Sequence, residues 1–288
     1  MNRVFLDLSP EESAIIALAL AEGEQIQWAL EETENQCQLC GYFIGDFQKS
    51  WETLRKQIPL LSGKIPLCEV IEERDWQSEY KKFLAPFNIG PLHIIPNWYR
   101  DIYSVPDHQF GIYLDAEMAF GTGAHETTKL CLARLVDYQH LFKNSMFLKK
   151  MIDVGCGSGI LSIAAAKLGF GNIYGFDRDP DAVKISQKNA QQNETTISFA
   201  EADINGGLLG LQADFIAPNI LAPDLIAHAS LLVNTVKQYG MLSLSGILRE
   251  ELESVQNVFT PLVKRHWNCS ISNAKTMGQW VEISYVRT

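Results

Sequence analysis

Asp153-Val154-Gly155-Cys156-Gly157-Ser158-Gly159 stands directly after an apolar run at 151–154 and directly before a helix-periodic segment at 160–168. Three alternating glycines let a chain turn sharply and approach a ligand with no Cβ in the way. A strand, a glycine turn and a helix in that order open a βα unit, and the pattern repeats downstream. Strand signals recur over 173–176, 196–200, 214–217 and 241–244, with helical signals over 180–192, 223–232 and 249–258. Strands separated by helices predict a parallel sheet with right-handed crossovers. The last strand-like runs, 262–269 and 279–286, have no helix between them and predict an antiparallel edge. In an open α/β sheet of this kind, ligands bind outside the carboxyl ends of the strands.

Upstream, the pattern changes. Residues 1–72 read as a small α+β domain in β-α-β-β-α-β order, a ferredoxin-like arrangement. Its strands fall at 4–8, 25–30, 39–44 and 67–71, with a short helix over 51–56. Its first helix starts at Ser9-Pro10-Glu11-Glu12, with Ser9 as N-cap and Glu12 at the capping-box position, and turns Ile15, Ile16, Leu18 and Ala19 inward. Residues 73–98 read as a connector containing a helix over 75–83, and 99–288 as the larger domain. Strand candidates at 92–95 and 110–114 bracket turn-rich segments around Pro96 and Pro106.

With 47% apolar and 20% charged residues, the chain has the composition of a globular protein able to build a core. The N-terminal residues carry no signal-peptide pattern and no stretch is long enough to span a bilayer, so a soluble cytoplasmic protein is expected. The six cysteines are scattered and read as reduced thiols. Cys37 and Cys40 form a C-x-x-C with no second ligand pair after it, so no metal site is expected. A formal net charge of −10 argues against non-specific nucleic-acid binding and is compatible with a basic protein partner.

Four further positions carry chemistry. Asp177 ends the second strand of the βα series, and an acidic residue about 20 positions beyond the glycine turn is placed to accept both hydroxyls of a ribose. Capping of the next helix is the competing role, for which Asp179, before Pro180, is better placed. Asp203 follows the third strand, either beside a nucleobase amino group or as a loop aspartate with no role. Asn219 ends the fourth strand, where its amide offers donor and acceptor; the competing role is N-cap of the segment containing Pro223. Phe120-Gly121-Thr122-Gly123-Ala124-His125-Glu126-Thr127-Thr128 is a polar glycine-rich loop opening a helix to about Tyr138. A helix start of that kind suits an anion.

The D-x-G-x-G-x-G spacing resembles methyltransferases that hold the methionyl part of S-adenosylmethionine rather than the G-x-G-x-x-G of dinucleotide enzymes. The antiparallel ending points the same way. More specifically, the chain resembles the PrmA family, the methyltransferases that modify ribosomal protein L eleven. That family carries F-G-T-G-x-H-x-T-T, D-x-G-C-G-S-G, G-x-D-x-D-P, A-N-I-L-A and L-S-G-I-L segments. This chain has Phe120 to Thr128, Asp153 to Gly159, Gly175 to Pro180, Asn219 to Ala222 and Leu244 to Leu248 in the same order. The resemblance covers residue 75 to the C-terminus. It implies a Rossmann-like class I methyltransferase sheet, and cofactor contacts from Thr128, Gly155, Asp177 and Asn219; Phe120, Gly121, Thr122, Gly157 and Asp203 are the further cofactor-binding candidates. Asn219 is the residue implied to orient the amine, and the substrate implied is an amine of that ribosomal protein, a lysine side chain or the N-terminus. It also implies an N-terminal module that recognises the substrate and moves relative to the catalytic domain. Glu126 replaces the usual proline, Pro218 the usual alanine, and segment 137–150 is longer than is common. The nearest alternative is a methyltransferase acting on another protein or a small-molecule amine. An oxidoreductase and a non-catalytic cofactor-binding scaffold are the readings from other classes; the glycine spacing disfavours the first and the intact motifs the second.

Overall fold

The computed structural model describes residues 2–21, 28–33, 36–43, 47–70, 85–115, 125–267 and 270–288. The chain divides into two compact units, Met1–Phe83 and Leu84–Thr288.

In the first unit, β1 (Asn2–Leu8), α1 (Pro10–Ala21), β2 (Trp28–Thr33), β3 (Gln36–Phe43), α2 (Gln48–Gln57) and β4 (Leu67–Val70) follow in the expected order. The sheet order is β2-β3-β1-β4, every pairing antiparallel. α1 begins with a reciprocal capping box: the Glu12 N–H donates to Ser9 Oγ at 3.2 Å and the Ser9 N–H to Glu12 Oε2 at 3.0 Å. Ile16 is fully buried with Val4, Leu39, Leu54 and Leu61. Ile15 is corrected to an outward position, 53% exposed. Consecutive helix residues point about 100° apart, and the inward stripe through Ile16, Ala19 and Leu20 leaves Ile15 on its flank. The connector helix expected over 75–83 lies outside the described residues.

The second unit opens with a three-stranded sheet, β5 (Phe87–Ile89), β6 (Leu92–Pro96) and β7 (Phe110–Leu114), in that order. After it come α3 (Glu126–Phe142), β8 (Lys150–Val154), α4 (Ile160–Lys167), β9 (Asn172–Asp177), α5 (Pro180–Gln192), β10 (Ser198–Glu201) and α6 (Ile204–Leu208). Then follow β11 (Ala213–Pro218), α7 (Ala222–Ala227), α8 (Ala229–Thr235), β12 (Val236–Leu248), α9 (Leu252–His266), β13 (Ser270–Met277) and β14 (Trp280–Arg287). The seven-stranded sheet runs β10-β9-β8-β11-β12-β14-β13. Its first five strands pair in parallel and β14 and β13 antiparallel, the Rossmann-like sheet with the antiparallel edge expected. Successive strand residues face opposite ways. Met151, Phe215 and Met241 pack toward α3 and α4, while their neighbours Ile152, Ile216 and Leu242 pack toward α7, α8 and α9.

Two departures from the sequence expectation go beyond a shift of a strand or helix end. Residues 262–266 belong to α9 rather than to a strand, and the antiparallel hairpin begins only at Ser270. Val255, Phe259 and Val263 recur every four residues and are all fully buried. That apolar stripe holds the helix through Pro261, although an internal proline lacks one helix N–H. The helix expected over 223–232 is split at His228, whose φ of −109° and ψ of 14° are not helical.

One buried ion pair ties α3 to the antiparallel edge. The Arg134 guanidinium, 5% exposed, donates through Nε and Nη2 to Glu282, which is fully buried. Arg134 also reaches the Asn273 side chain at 2.9 Å, and Ser243 Oγ donates to Glu282 at 2.9 Å. Both carboxylate oxygens of Glu282 and the Nε and Nη2 donors of Arg134 are engaged, and Nη1 lies 3.6 Å from the Asp137 carboxylate, partners that burial of two charges demands. Glu282→Ala strands the guanidinium in the core and is expected to cost about 3–5 kcal/mol in chemical denaturation. The apolar double replacement Arg134→Met/Glu282→Leu should recover most of that loss.

Candidate functional site

The glycine turn is built by backbone geometry that only glycine adopts without strain. Gly155, Gly157 and Gly159 have φ of 71°, 51° and 77°. A Cβ at Gly155 would lie 2.8 Å from Ile220 Cγ2, and one at Gly159 2.9 Å from Ser186 Cβ. The turn is fastened to the end of β9. The N–H groups of Gly155 and Cys156 donate to the Phe176 carbonyl at 2.9 and 3.0 Å, and the Gly157 N–H to Asp177 Oδ2 at 2.9 Å. The other carboxylate oxygen of Asp177 accepts from the Asp179 N–H at 3.0 Å. Asp179 itself is the N-cap of α5, bonding the Asp181 N–H. Asp177 is thus no helix cap, and a carboxylate has lone pairs beyond the two used here.

Beneath the turn, Asp153 is 1% exposed and accepts from both the Ser162 N–H, at 3.1 Å, and its hydroxyl, at 2.7 Å. Burial pushes the Asp153 carboxyl up to about 7 against the pull of those two bonds, with the charge of Asp177 adding to the rise.

At the carboxyl ends of the parallel strands lies a cavity of about 550 Å³. Gly155, Gly157, Asp177, Asp203 and Asn219 all line it, so the sequence candidates from four separate strand ends converge there. Asp203 also caps α6, accepting the Gly206 N–H at 2.7 Å. Asn219 caps nothing, since Leu221 is the N-cap of α7, and its buried Oδ1 has no partner among the described residues. Thr128 does not line the cavity; it is buried at 1% exposure, and its Oγ1 also lacks a partner among the described residues. Its neighbour Thr127 does line the cavity. Phe120, Gly121 and Thr122 lie outside the described residues. His125 is the N-cap of α3, with Nδ1 2.8 Å from Thr127 Oγ1 and its ring edge-on to Trp280 at 5.0 Å.

Several lining residues were not singled out in the sequence, Trp280, Gly246, Asp224 and His228 among them. Trp280 opens β14, and its signal is only the turn at Gly278 before the last strand. Gly246 sits in Leu244-Ser245-Gly246-Ile247-Leu248 with φ of 86°, and a Cβ there would come 2.2 Å from the Ile220 carbonyl oxygen. His228 carries no local motif at all. Cys37 and Cys40 are free thiols, and among the described residues no His, Cys, Asp and Glu group is placed to hold a metal ion. No described helix is long and apolar enough to cross a membrane.

A parallel sheet with an antiparallel carboxyl edge, entered through a three-glycine turn, defines a Rossmann-like methyltransferase fold. A sequence profile of the family described as "Ribosomal protein L11 methyltransferase (PrmA)" matches residues 10–288, and the chain belongs to that family. It is 38% identical over 238 residues to a protein of that name from Vibrio vulnificus, covering 80% of this chain and 77% of the relative. A namesake from Caldicellulosiruptor saccharolyticus is 39% identical over 197 residues, or 68% of this chain. The chain spans 62%, 65% and 60% of the lengths of three such relatives. A solved structure described as "ribosomal protein L11 methylase", from Lactobacillus delbrueckii subsp. bulgaricus, superposes with a TM-score of 0.60 at 25% identity. It covers 71% of this chain and 99% of that one.

The Asp153 environment makes a testable statement about stability. Its folded carboxyl is held above its unfolded range near 4. Between about pH 4 and pH 7 the folded state therefore keeps a proton that the unfolded chain releases, so this group makes stability fall as pH rises through that window. Asp153→Asn, compared with the wild type in urea titrations at pH 5 and pH 8, should lose less stability between the two. Equal slopes would show that the carboxyl does not titrate this way.

Proposed function

We propose that this chain transfers methyl groups from S-adenosylmethionine to amines of ribosomal protein L11, lysine side chains and/or the N-terminal amine, in the cytoplasm. The observation that carries the reading is Asn219, which lines the same cavity as Gly155 and Gly157 and whose buried Oδ1 has no partner among the described residues. An orphaned buried acceptor costs about 1–3 kcal/mol unless a ligand donor meets it.

The donor set fits the cofactor. Gly155 and Gly157 form a Cβ-free cradle, Asp177 retains acceptor capacity for a ribose diol, and Asp203 stands at the next strand end. These residues would hold it, with Asn219 at its methyl end, and Phe120, Gly121 and Thr122 are proposed to complete the contact; Thr128, which is buried and does not line the cavity, is not placed to touch it. When bound, S-adenosylmethionine supplies a methyl group already activated on a sulfonium. The protein's share is therefore position and electrostatics. Asn219 Oδ1 accepts an N–H of the incoming amine and turns its lone pair toward the methyl group. A lysine, with an ordinary pKa of about 10.4, must shed a proton first, which exclusion of water from the cavity favours. The capping duty of His125 Nδ1 leaves its ring a wall rather than a base. The Met1–Phe83 unit is proposed to recognise the protein substrate, for whose basic character the net charge of −10 is complementary.

Isothermal titration with S-adenosylmethionine should give micromolar binding, weakened about 100-fold by Asp177→Ala, which removes the ribose acceptor and unfastens the turn. A wild type that does not bind would sink the reading. In a methylation assay with purified ribosomal protein L11, Asn219→Ala should keep cofactor affinity within a few fold while turnover drops about 100-fold or more. Unchanged turnover would remove Asn219 from the reaction.

A further inference from the structure

The sequence motifs do not account for the wall of the cavity formed by α7. Leu221, Asp224 and His228 line it, while Ala222, Leu225 and Ala229 point the other way and are buried. That spacing is one face of a single helical stripe, with His228 at its end where α7 gives way to α8. α8 packs against α6, the short helix that Asp203 caps. His228 thus lies at the start of the helix that packs on the one following Ala202 and Asp203, and Ala202, Asp203 and Ile204 line the same cavity.

The chemistry of the ring is set by one bond. His228 Nδ1 lies 2.9 Å from the Asp224 carbonyl oxygen. A carbonyl only accepts, so Nδ1 carries the proton and, in the neutral ring, Nε2 carries the lone pair. Nε2 makes no hydrogen bond among the described residues. One oxygen of Asp203 is already committed to the Gly206 N–H. This end of the cavity thus combines the apolar walls of Ala202, Ile204 and Leu221 with a fixed acceptor, the pattern that suits a flat heteroaromatic ring bearing an amino group.

We propose that His228 is a specificity-determining residue that reads the adenine amino group, its Nε2 accepting one N–H of that group. The inference rests on the cofactor reading above. With the glycine turn and Asn219 on one side of Asp177, a nucleoside whose ribose is held by Asp177 extends its base the other way, toward Ala202–Ile204 and His228. The acceptor distinguishes an amino group from the oxo group of a hypoxanthine, which presents a lone pair to a lone pair.

The test is titration of the full chain with S-adenosylhomocysteine and with S-inosylhomocysteine, for the wild type, His228→Ala and His228→Gln. The wild type should prefer the adenosyl ligand. His228→Ala should weaken adenosyl binding about fivefold and leave inosyl binding unchanged, so that the preference shrinks. His228→Gln, whose amide oxygen also accepts, should restore part of the preference. Equal losses for both ligands would assign His228 a packing role and overturn the inference, as would an unchanged preference in His228→Ala. A wild type that binds neither ligand overturns the cofactor reading and this inference with it.

Discussion

The carboxylate of Asp177 joins two strand ends that the site cannot do without. One oxygen holds the Gly157 N–H and the other the Asp179 N–H, so the turn after β8 and the start of α5 are set by a single side chain. The turn in turn exists only because three residues tolerate positive φ, and the Phe176 carbonyl absorbs two of its N–H groups. Satisfying those donors locally leaves the rest of the carboxylate facing the cavity. The same interaction that stabilises the turn thus presents the acceptor. A charged acceptor fixed by two backbone donors costs little reorganisation when a ligand arrives, which is the physical meaning of a preorganised site.

The opposite wall is held by different means. Ser245 Oγ donates to the Thr127 carbonyl at 3.2 Å, Asn219 and Ser245 bridge through their backbones, and Gly246 passes within contact of Ile220. Further down α3, Arg134 and Glu282 lock the helix to β14, two residues from Trp280. The helix start carrying His125 and Thr127 is therefore positioned from both the parallel and the antiparallel part of the sheet. Removing the antiparallel edge would release Trp280 and the Glu282 anchor together. The edge is part of the site's construction as well as a finish to the sheet.

What was legible in the sequence follows the range of the forces involved. Residues whose role is imposed by backbone geometry announced themselves: Gly155, Gly157, the Asp179–Pro180 helix start, the Ser9–Glu12 capping box. So did Asp177 and Asn219, because a strand end in an alternating βα pattern has a known destination. Residues that reach the cavity through tertiary packing were silent. His228 is an ordinary position until α7 breaks there and α8 packs on α6, and Trp280 is placed by a hairpin pairing that no local pattern reports. The misplaced strand at 262–266 has the same origin. An internal proline disfavours helix locally, whereas burial of Val255, Phe259 and Val263 against the sheet, each contributing about 1.5–3 kcal/mol, outweighs a loss of about 3 kcal/mol at Pro261.

The unpartnered atoms give the argument its direction. Buried polar groups in a folded protein are nearly all satisfied, and among the described residues Asn219 Oδ1 and Thr128 Oγ1 have no partner. Each sits where a hydrophobic side chain of similar size would remove the penalty, and each is flanked by well-satisfied neighbours: Thr127 by His125 and Ser245, Asp203 by Gly206. A fold that satisfies the surrounding groups and leaves these two acceptors open is less stable than its sequence could make it. Donors brought by a ligand would recover part of that deficit, and Asn219 lines the cavity where one would enter. Stability surrendered at that atom is the physical counterpart of the proposed contact to an amine, in the same way that the glycine turn surrenders backbone entropy to admit a ligand.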